Sequence, residues 1–178
     1  MNKLYEIVIT NRGVKVKKFQ PVHGMITRIE DFWMEENEER LGCYKLMSVD
    51  KGDGTLVNFV VTPATYFVDH VMLTLGDIVT GFFDANAPVP LIFPPQLNAI
   101  IMVRDTPYQN VKVDYFNNQL VSSDNYLRLN IAPYTQIVLE NNQAFNRNPA
   151  NRNLIVVYGA TTKSIPAQTT PYEIIVMC

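Results

Sequence analysis

The chain has 178 residues, of which 47% are hydrophobic and 18% charged, and its formal net charge is −2 at pH 7. This composition is ordinary for a folded protein of one domain or two small ones, and it excludes an intrinsically disordered chain. With 15 Lys and Arg against 17 Asp and Glu, it also argues against a protein whose affinity comes from neutralising many phosphates, so we expect no nucleic-acid partner.

The amino terminus predicts a strand rather than a targeting segment. Glu6 interrupts the first apolar run, which therefore lacks the apolar core of a secretory signal. No other run approaches the ~18 apolar residues of a membrane span. We expect no membrane span and a cytoplasmic location by default, with a place in a surface assembly left open.

Residues 1–22 predict an N-terminal β-hairpin, because LYEIVIT is followed by a turn at Asn11-Arg12-Gly13 and by alternating Val and Lys. One face of its second strand is basic. It is either an edge strand that lysines protect from aggregation or a basic arm that docks on an acidic partner. The residues of this basic arm are Arg12, Lys15, Lys17 and Lys18.

Charge is distributed unevenly along the chain. Residues 1–28 carry six Lys or Arg and one acid, whereas residues 30–84 carry eleven acids and three bases. Opposite patches on one molecule favour head-to-tail association, although they could equally be two solvated faces of a monomer. Trp33, beside the acidic patch, is expected to plug the end of a barrel. The acidic patch consists of Glu35, Glu36, Glu38 and Glu39.

Two stretches of the chain, residues 62–103 and 132–177, predict an internal duplication. Their offset drifts between 70 and 76, so they are diverged copies and not a fixed-period solenoid. The matched positions are Pro63 with Pro133, Thr65 with Thr135, Phe67-Val68 with Ile137-Val138, residues 77–79 with 153–155, Pro94 and Gln96 with Pro166 and Gln168, and residues 100–103 with 174–177.

Short strands separated by turn residues, such as Asp53-Gly54, predict an all-β protein. Each copy supplies roughly five strands, as an OB-type barrel requires. We therefore predict two tandem OB-like Greek-key barrels related by internal duplication, in residues 23–105 and 106–178, after the N-terminal hairpin.

Several turn and strand motifs are similar to the closing half of small, uncharacterised OB-like β-barrel proteins of Gram-positive bacteria. The resemblance implies a bacterial β-barrel and brings no catalytic residue with it. The first copy departs from the family's Ser-Ile-Pro-x-Gln connector at residues 93–96, and the second departs from its Gly-Asp turn at Arg152-Asn153. The motifs are Thr65, Gly76-Asp77-Ile78-Val79, Ser164-Ile165-Pro166-Ala167-Gln168 and Ile174-Ile175-Val176.

The sequence contains no recognisable catalytic motif. Only His23 and His70 could activate a nucleophile, and neither lies in a known pattern. There is neither a P-loop nor a dinucleotide-binding fingerprint. Cys43 and Cys178 lack metal-ligand spacing and are either free thiols or one disulfide. We expect no catalytic site, no metal and no cofactor.

A proline-rich connector is the strongest candidate for an interaction site. It either docks on another subunit or folds back across the sister barrel. The leading hypothesis is a structural or interaction protein that self-associates or docks on a bacterial assembly. The alternative is an oligosaccharide- or peptide-binding module with exposed Tyr and Phe. This apolar loop consists of Val89, Leu91, Ile92, Phe93, Pro94 and Pro95.

Overall fold

A computed structural model describes residues 16–33 and 38–178. This part of the chain is all-β, as the sequence predicts, and its only helical pieces are two 3₁₀ turns, Glu38–Arg40 and Val68–His70. The strands are β1 Phe19–Asp31, β2 Lys45–Asp50, β3 Leu56–Val61, β4 Tyr66–Phe67, β5 Ile78–Asp84, β6 Gln96–Asn98, β7 Ile101–Arg104, β8 Asn110–Phe116, β9 Leu127–Leu129, β10 Gln136–Leu139, β11 Arg152–Tyr158, β12 Ala167–Thr169 and β13 Glu173–Val176.

The first half of the chain is organised around the long strand β1. Its first part pairs with β5 and its second part with β2, both antiparallel. Gly24 lies where β1 changes partner, and a Cβ there would come within 2.1 Å of the Asp50 carbonyl oxygen. Only glycine permits this close backbone approach, so the residue type follows from the bend.

The sheet of the first half has the order β4-β7-β5-β1-β2-β3-β6. β6, at one end of this sheet, and β7, next to the short strand β4 at the other end, are consecutive in the chain and are separated only by Ala99 and Ile100. The Ala99 amide donates to the Val60 carbonyl at 3.0 Å, and the Ile100 amide donates to the Phe82 carbonyl at 2.8 Å. One continuous segment therefore connects β3 to β5.

The second half repeats these pairings in smaller sheets, β10-β13-β11-β8 and β12-β9. β9 runs parallel to β12 as β3 does to β6, and β10 runs parallel to β13 as β4 does to β7. Isolated bridges from Phe116 to Ser122 and from Val121 to Arg128 connect β8 to β9. These bridges occupy the place that β2 has in the first half.

Matching hydrogen bonds occur around Thr65 and Thr135. The Thr65 hydroxyl donates to the Ala99 carbonyl and the Thr135 hydroxyl to the Pro171 carbonyl, each at 2.8 Å. Each hydroxyl also accepts a bond from the amide three residues earlier. The two threonines are both buried, so each uses its hydroxyl fully to hold a turn.

The strand registers correct the sequence alignment in two places. Ile78 corresponds to Asn153, because their backbone carbonyls accept equivalent bonds from the backbone amides of Asp105 and Met177. The alignment of residues 77–79 with 153–155 is therefore wrong by one position. In the last strand Ile101 corresponds to Glu173, a difference of two positions. A shift of two preserves the alternation of inward and outward side chains, so apolar matching does not detect it.

In the described part of the chain, three clusters of buried apolar side chains form the core. One lies in the first half around Phe59 and Met102, and one in the second half around Phe116 and Ile174. The middle cluster takes residues from both halves, so the two halves share a buried face. Its members are Phe19, Val68, Phe82, Ile101, Val103, Val113, Ile155, Val157 and Ile175.

The structure changes the interpretation of two features near the amino terminus. Residues 1–15 of the predicted hairpin lie outside the described residues, and residues 16–18 are not in a strand, since β1 begins at Phe19. Trp33 does not plug a barrel. It is 67% exposed and lines a small pocket of about 160 Å³ with Phe32, Leu41 and Tyr44.

Candidate functional site

The apolar loop projects into solvent between β5 and β6. Leu91 is fully exposed and Phe93 is 89% exposed, so these two side chains do not pack against the other half of the chain, as the fold-back alternative would require. Val89 and Ile92 are each about half exposed. Hydrogen bonds hold the backbone of the loop at both ends. The Asn86 backbone amide donates to the Asp84 carboxylate at 2.9 Å, and the Asn58 backbone amide donates to the Pro95 carbonyl at 2.9 Å.

The equivalent connector of the second half has a different surface. Ile165 is 85% exposed, but it is the only large apolar side chain between Thr161 and Gln168, and polar residues on both sides of it make hydrogen bonds within the connector. The Ser164 hydroxyl donates to the Pro166 carbonyl at 2.8 Å, and the Gln168 amide donates to the Thr162 hydroxyl at 2.9 Å. The two connectors share one backbone feature, since the Phe93-Pro94 and Ile165-Pro166 peptide bonds are both cis. They differ in their side chains, because only the first connector presents several apolar side chains together.

The charged candidates are described only in part. Lys17 and Lys18 are exposed, whereas Arg12 and Lys15 lie outside the described residues. Glu35 and Glu36 also lie outside them, and Glu38 and exposed Glu39 belong to the 3₁₀ turn Glu38–Arg40. The proposed attraction between a basic arm and an acidic patch stays a prediction.

The two cysteines are exposed and unbridged. The predicted disulfide alternative is not formed within the chain, and the free-thiol alternative describes the structure. The Cys43 thiol approaches the Glu39 carbonyl oxygen at 3.9 Å. Two accessible thiols on one molecule make it necessary to include reductant in any measurement of self-association.

His23 has the nearest arrangement to a catalytic group. Its Nδ1 lies 2.6 Å from Asp105 Oδ2 and 3.2 Å from the Thr80 hydroxyl, and Thr80 itself donates to Asp105 at 3.0 Å. In a nucleophilic triad the hydroxyl and the carboxylate occupy opposite nitrogens of the ring. Here both meet the same nitrogen, so the geometry joins strands and does not activate Thr80.

Two exposed tyrosines, Tyr134 and Tyr172, lie between two shallow grooves. They are 63% and 52% exposed and line both grooves, which have volumes of about 430 and 370 Å³. We call this surface the tyrosine groove. Its other polar lining residues are Asn130, Thr161, Thr162, Gln168, Thr169 and Thr170 on one side, and Asp69, Gln109, Gln136 and Glu173 on the other.

On the acidic side of the tyrosine groove Glu173 is partly buried, whereas Asp69 is exposed. Burial, together with the negative charge of Asp69, raises the pKa of Glu173. Burial and the charges of Glu173 and Asp69 also raise the pKa of Tyr66 to about 12. The Gln109 side chain donates to Asp69 at 3.1 Å, and Asp69 and His70 both have left-handed backbone angles.

The sequence predicts exposed Tyr and Phe for a binding module but does not indicate which of the aromatics are exposed. Phe59 and Phe82 are buried, while Tyr134 is not. The sequence alignment does not pair Tyr172 with a residue of the first half, because its last strand is shifted by two positions from the observed register. In the observed register the tyrosines occupy the positions of Ala64 and Ile100 of the first half, a difference that an alignment in this register shows.

The described residues contain no group of three His, Cys, Asp or Glu side chains suited to a metal ion. Within the same residues, no helix is long and apolar enough to cross a membrane. Comparison of the chain with known protein families, curated proteins and solved structures returns no match. Function must therefore be argued from the apolar loop and the tyrosine groove themselves.

Proposed function

We propose that the chain is a tandem pair of OB-like Greek-key barrels related by duplication. An OB barrel is a small five-stranded Greek-key barrel, and the continuous segment of β6 and β7 would close such a barrel by connecting β3 to β5. The repeated parallel pairs and the matching bonds of Thr65 and Thr135 support the same arrangement in both halves.

On this scaffold the protein acts as a non-catalytic interaction protein that self-associates or docks on a larger bacterial assembly. The observation that carries the proposal is the exposure of Leu91 and Phe93 at the tip of the apolar loop. Neighbouring exposed apolar side chains are unfavourable in water and are typical of contact surfaces.

The composition of the apolar loop favours docking with little entropic cost. Residues 85–98 contain four prolines and no charged residue. Proline fixes one backbone angle, so the loop loses less conformational freedom on binding than a flexible loop would. The absence of charge removes the desolvation penalty that buried ions would impose.

The first experiment is a mass measurement in solution over a wide concentration range, with reductant present. We expect the wild-type mass to rise with concentration and the double variant Leu91→Ser, Phe93→Ser to remain monomeric, because the variant removes the two most exposed apolar side chains of the loop. Ile165→Ser is the matched control, since it removes one exposed apolar residue from the equivalent connector and should change the association little.

Two outcomes would count against this proposal. One is a wild-type protein that stays monomeric at every concentration and recovers no partner. The other is association that the double variant does not weaken. Repeating the measurement at high salt separates the apolar loop from the charged patches, because salt screens attraction between exposed charges and does not weaken apolar contacts.

A further inference from the structure

We propose that the tyrosine groove binds a short neutral oligosaccharide, with one sugar ring packed on Tyr134 and another on Tyr172. This site goes beyond the proposed self-association because it uses different residues and a different chemistry. Tyrosine suits such a ligand, since its ring supplies apolar surface and its hydroxyl supplies a hydrogen bond.

The backbone holds both tyrosines in place before any ligand arrives. Tyr134 lies in a turn that the Thr135 amide closes on the Ala132 carbonyl at 3.0 Å. The Thr135 hydroxyl joins this turn to Pro171, the residue before Tyr172. The backbone amide of Tyr172 in turn donates to the Val157 carbonyl at 2.9 Å. A pair of aromatic rings on a fixed backbone needs little ordering on binding.

Gly159 allows the Tyr172 ring to lie against the backbone. A Cβ at position 159 would be 2.4 Å from the Tyr172 hydroxyl oxygen and 3.1 Å from the ring carbon that carries it. The Asn110 side chain donates to the Gly159 carbonyl at 3.1 Å and fixes this segment. Half of the Tyr172 side chain nevertheless remains exposed, which leaves ring surface for a ligand.

The first half of the chain shows that the fold does not require these tyrosines. The equivalent turn there holds Ala64 in place of Tyr134, and Ile100 occupies the place of Tyr172. The same threonine bonds are made without either aromatic ring. Large exposed aromatics that the backbone does not need are better explained by a ligand than by stability.

The lining of the groove selects the class of ligand. Neither side contains Lys or Arg, so nothing there would pair with a phosphate or another anion. Amides, hydroxyls and carboxylates predominate, and sugar hydroxyls can both donate to and accept from such groups. The Asn130 side chain donates to Gln168 at 3.2 Å, which orients two of the amides. Each side has a volume within the range of ~300–1,000 Å³ that is typical of ligand pockets.

Calorimetric titration of the whole 178-residue chain tests the proposal with three neutral hexasaccharides, of β-1,4-linked glucose, α-1,4-linked glucose and β-1,4-linked N-acetylglucosamine. We expect at least one to bind, and Tyr134→Ala to weaken that binding about tenfold or more, as loss of a central contact does. Tyr108→Ala is the control, because Tyr108 is 84% exposed and does not line the groove.

Tyr172→Ala also removes packing on Gly159, so Tyr134→Ala decides the test and circular dichroism checks the fold of both variants. Absence of binding to all three sugars would overturn the proposal. Equal weakening by Tyr108→Ala, or binding of a lysine-rich peptide in place of the sugars, would overturn it as well. Sugar binding that survives in the Leu91→Ser, Phe93→Ser variant would show that this site is independent of self-association.

Discussion

Glu173 illustrates how a single residue of the second half differs in chemistry from its counterpart Ile101. Ile101 is fully buried in the middle cluster, while Glu173 is a partly buried carboxylate near Asp69. Burial and the neighbouring charge raise its pKa above the ordinary value of 4.5. The native state therefore takes up a proton more readily than the unfolded chain does.

This shift determines the sign of a pH effect on stability. Above pH 4.5 the native state binds more protons at Glu173 than the unfolded state, so the free energy of unfolding falls as pH rises through the shifted pKa. We expect Glu173→Gln to be more stable than wild type at about pH 7 and to lose this advantage below about pH 4.5. Urea unfolding at several pH values measures it, and a difference that does not change with pH would contradict it.

At the scale of elements, the two halves fill their cores with complementary side chains. Gly81 of β5 lies opposite Phe59, and a Cβ on it would come within 2.5 Å of the Phe59 ring. The corresponding positions of the second half are Val156 and Leu129, which share one core cluster. In the first half a large side chain, Phe59, faces a glycine. In the second half the two side chains, Leu129 and Val156, are similar in size.

We therefore expect Gly81→Val to destabilise the protein by about 1–3 kcal/mol through overpacking against Phe59. Adding Phe59→Leu should recover part of this loss, because the double variant reproduces the pair found in the second half. A double-mutant cycle from urea unfolding measures the coupling. Additive effects of the two substitutions would show that these side chains do not compensate for each other.

Much of the element pattern could be predicted from the sequence, because alternating apolar residues and turn motifs such as Asp53-Gly54 specify strands locally. The β2–β3 hairpin confirms this, since Lys45 to Asp50 pair with Leu56 to Val61 across that turn. The offset of the last strand was not predictable from apolar content alone, because Ile174, Ile175 and Val176 fit equally well two residues earlier. Register depends on backbone bonds that the side-chain pattern does not encode.

At the scale of the whole molecule, the middle cluster makes the two halves depend on each other. Five of its buried residues come from the first half and four from the second. The connection between β7 and β8 is short, and Thr106 bridges to Gln109 within it. Neither half could be removed without exposing this apolar face to water.

We expect the chain to unfold in one cooperative transition, since the shared cluster couples the halves. Ile155→Ala, at a fully buried position, should lower the free energy of unfolding by about 2–5 kcal/mol without splitting the transition. Calorimetry compared with circular dichroism provides the measurement. Two separate transitions in the wild-type protein would mean that the cluster does not link the halves.

The candidate sites were less predictable than the fold. Prolines mark the apolar loop in the sequence, but whether Leu91 packs against another part of the chain or faces water depends on long-range packing. The tyrosine groove joins Tyr134, Tyr172, Asp69 and Gln109, which are distant in the chain and meet only through the pairing of β10 with β13 and the contact between the halves. No local motif identifies such a set.

The threonine turns also have a consequence for engineering. Because the bonds of Thr65 are made by backbone groups and one hydroxyl, the outward side chain at Ala64 is free to change without disturbing the turn. The first half thus offers a small, exposed side chain on a turn whose counterpart in the second half carries an aromatic ring. A new recognition surface could be introduced there while the original one is kept.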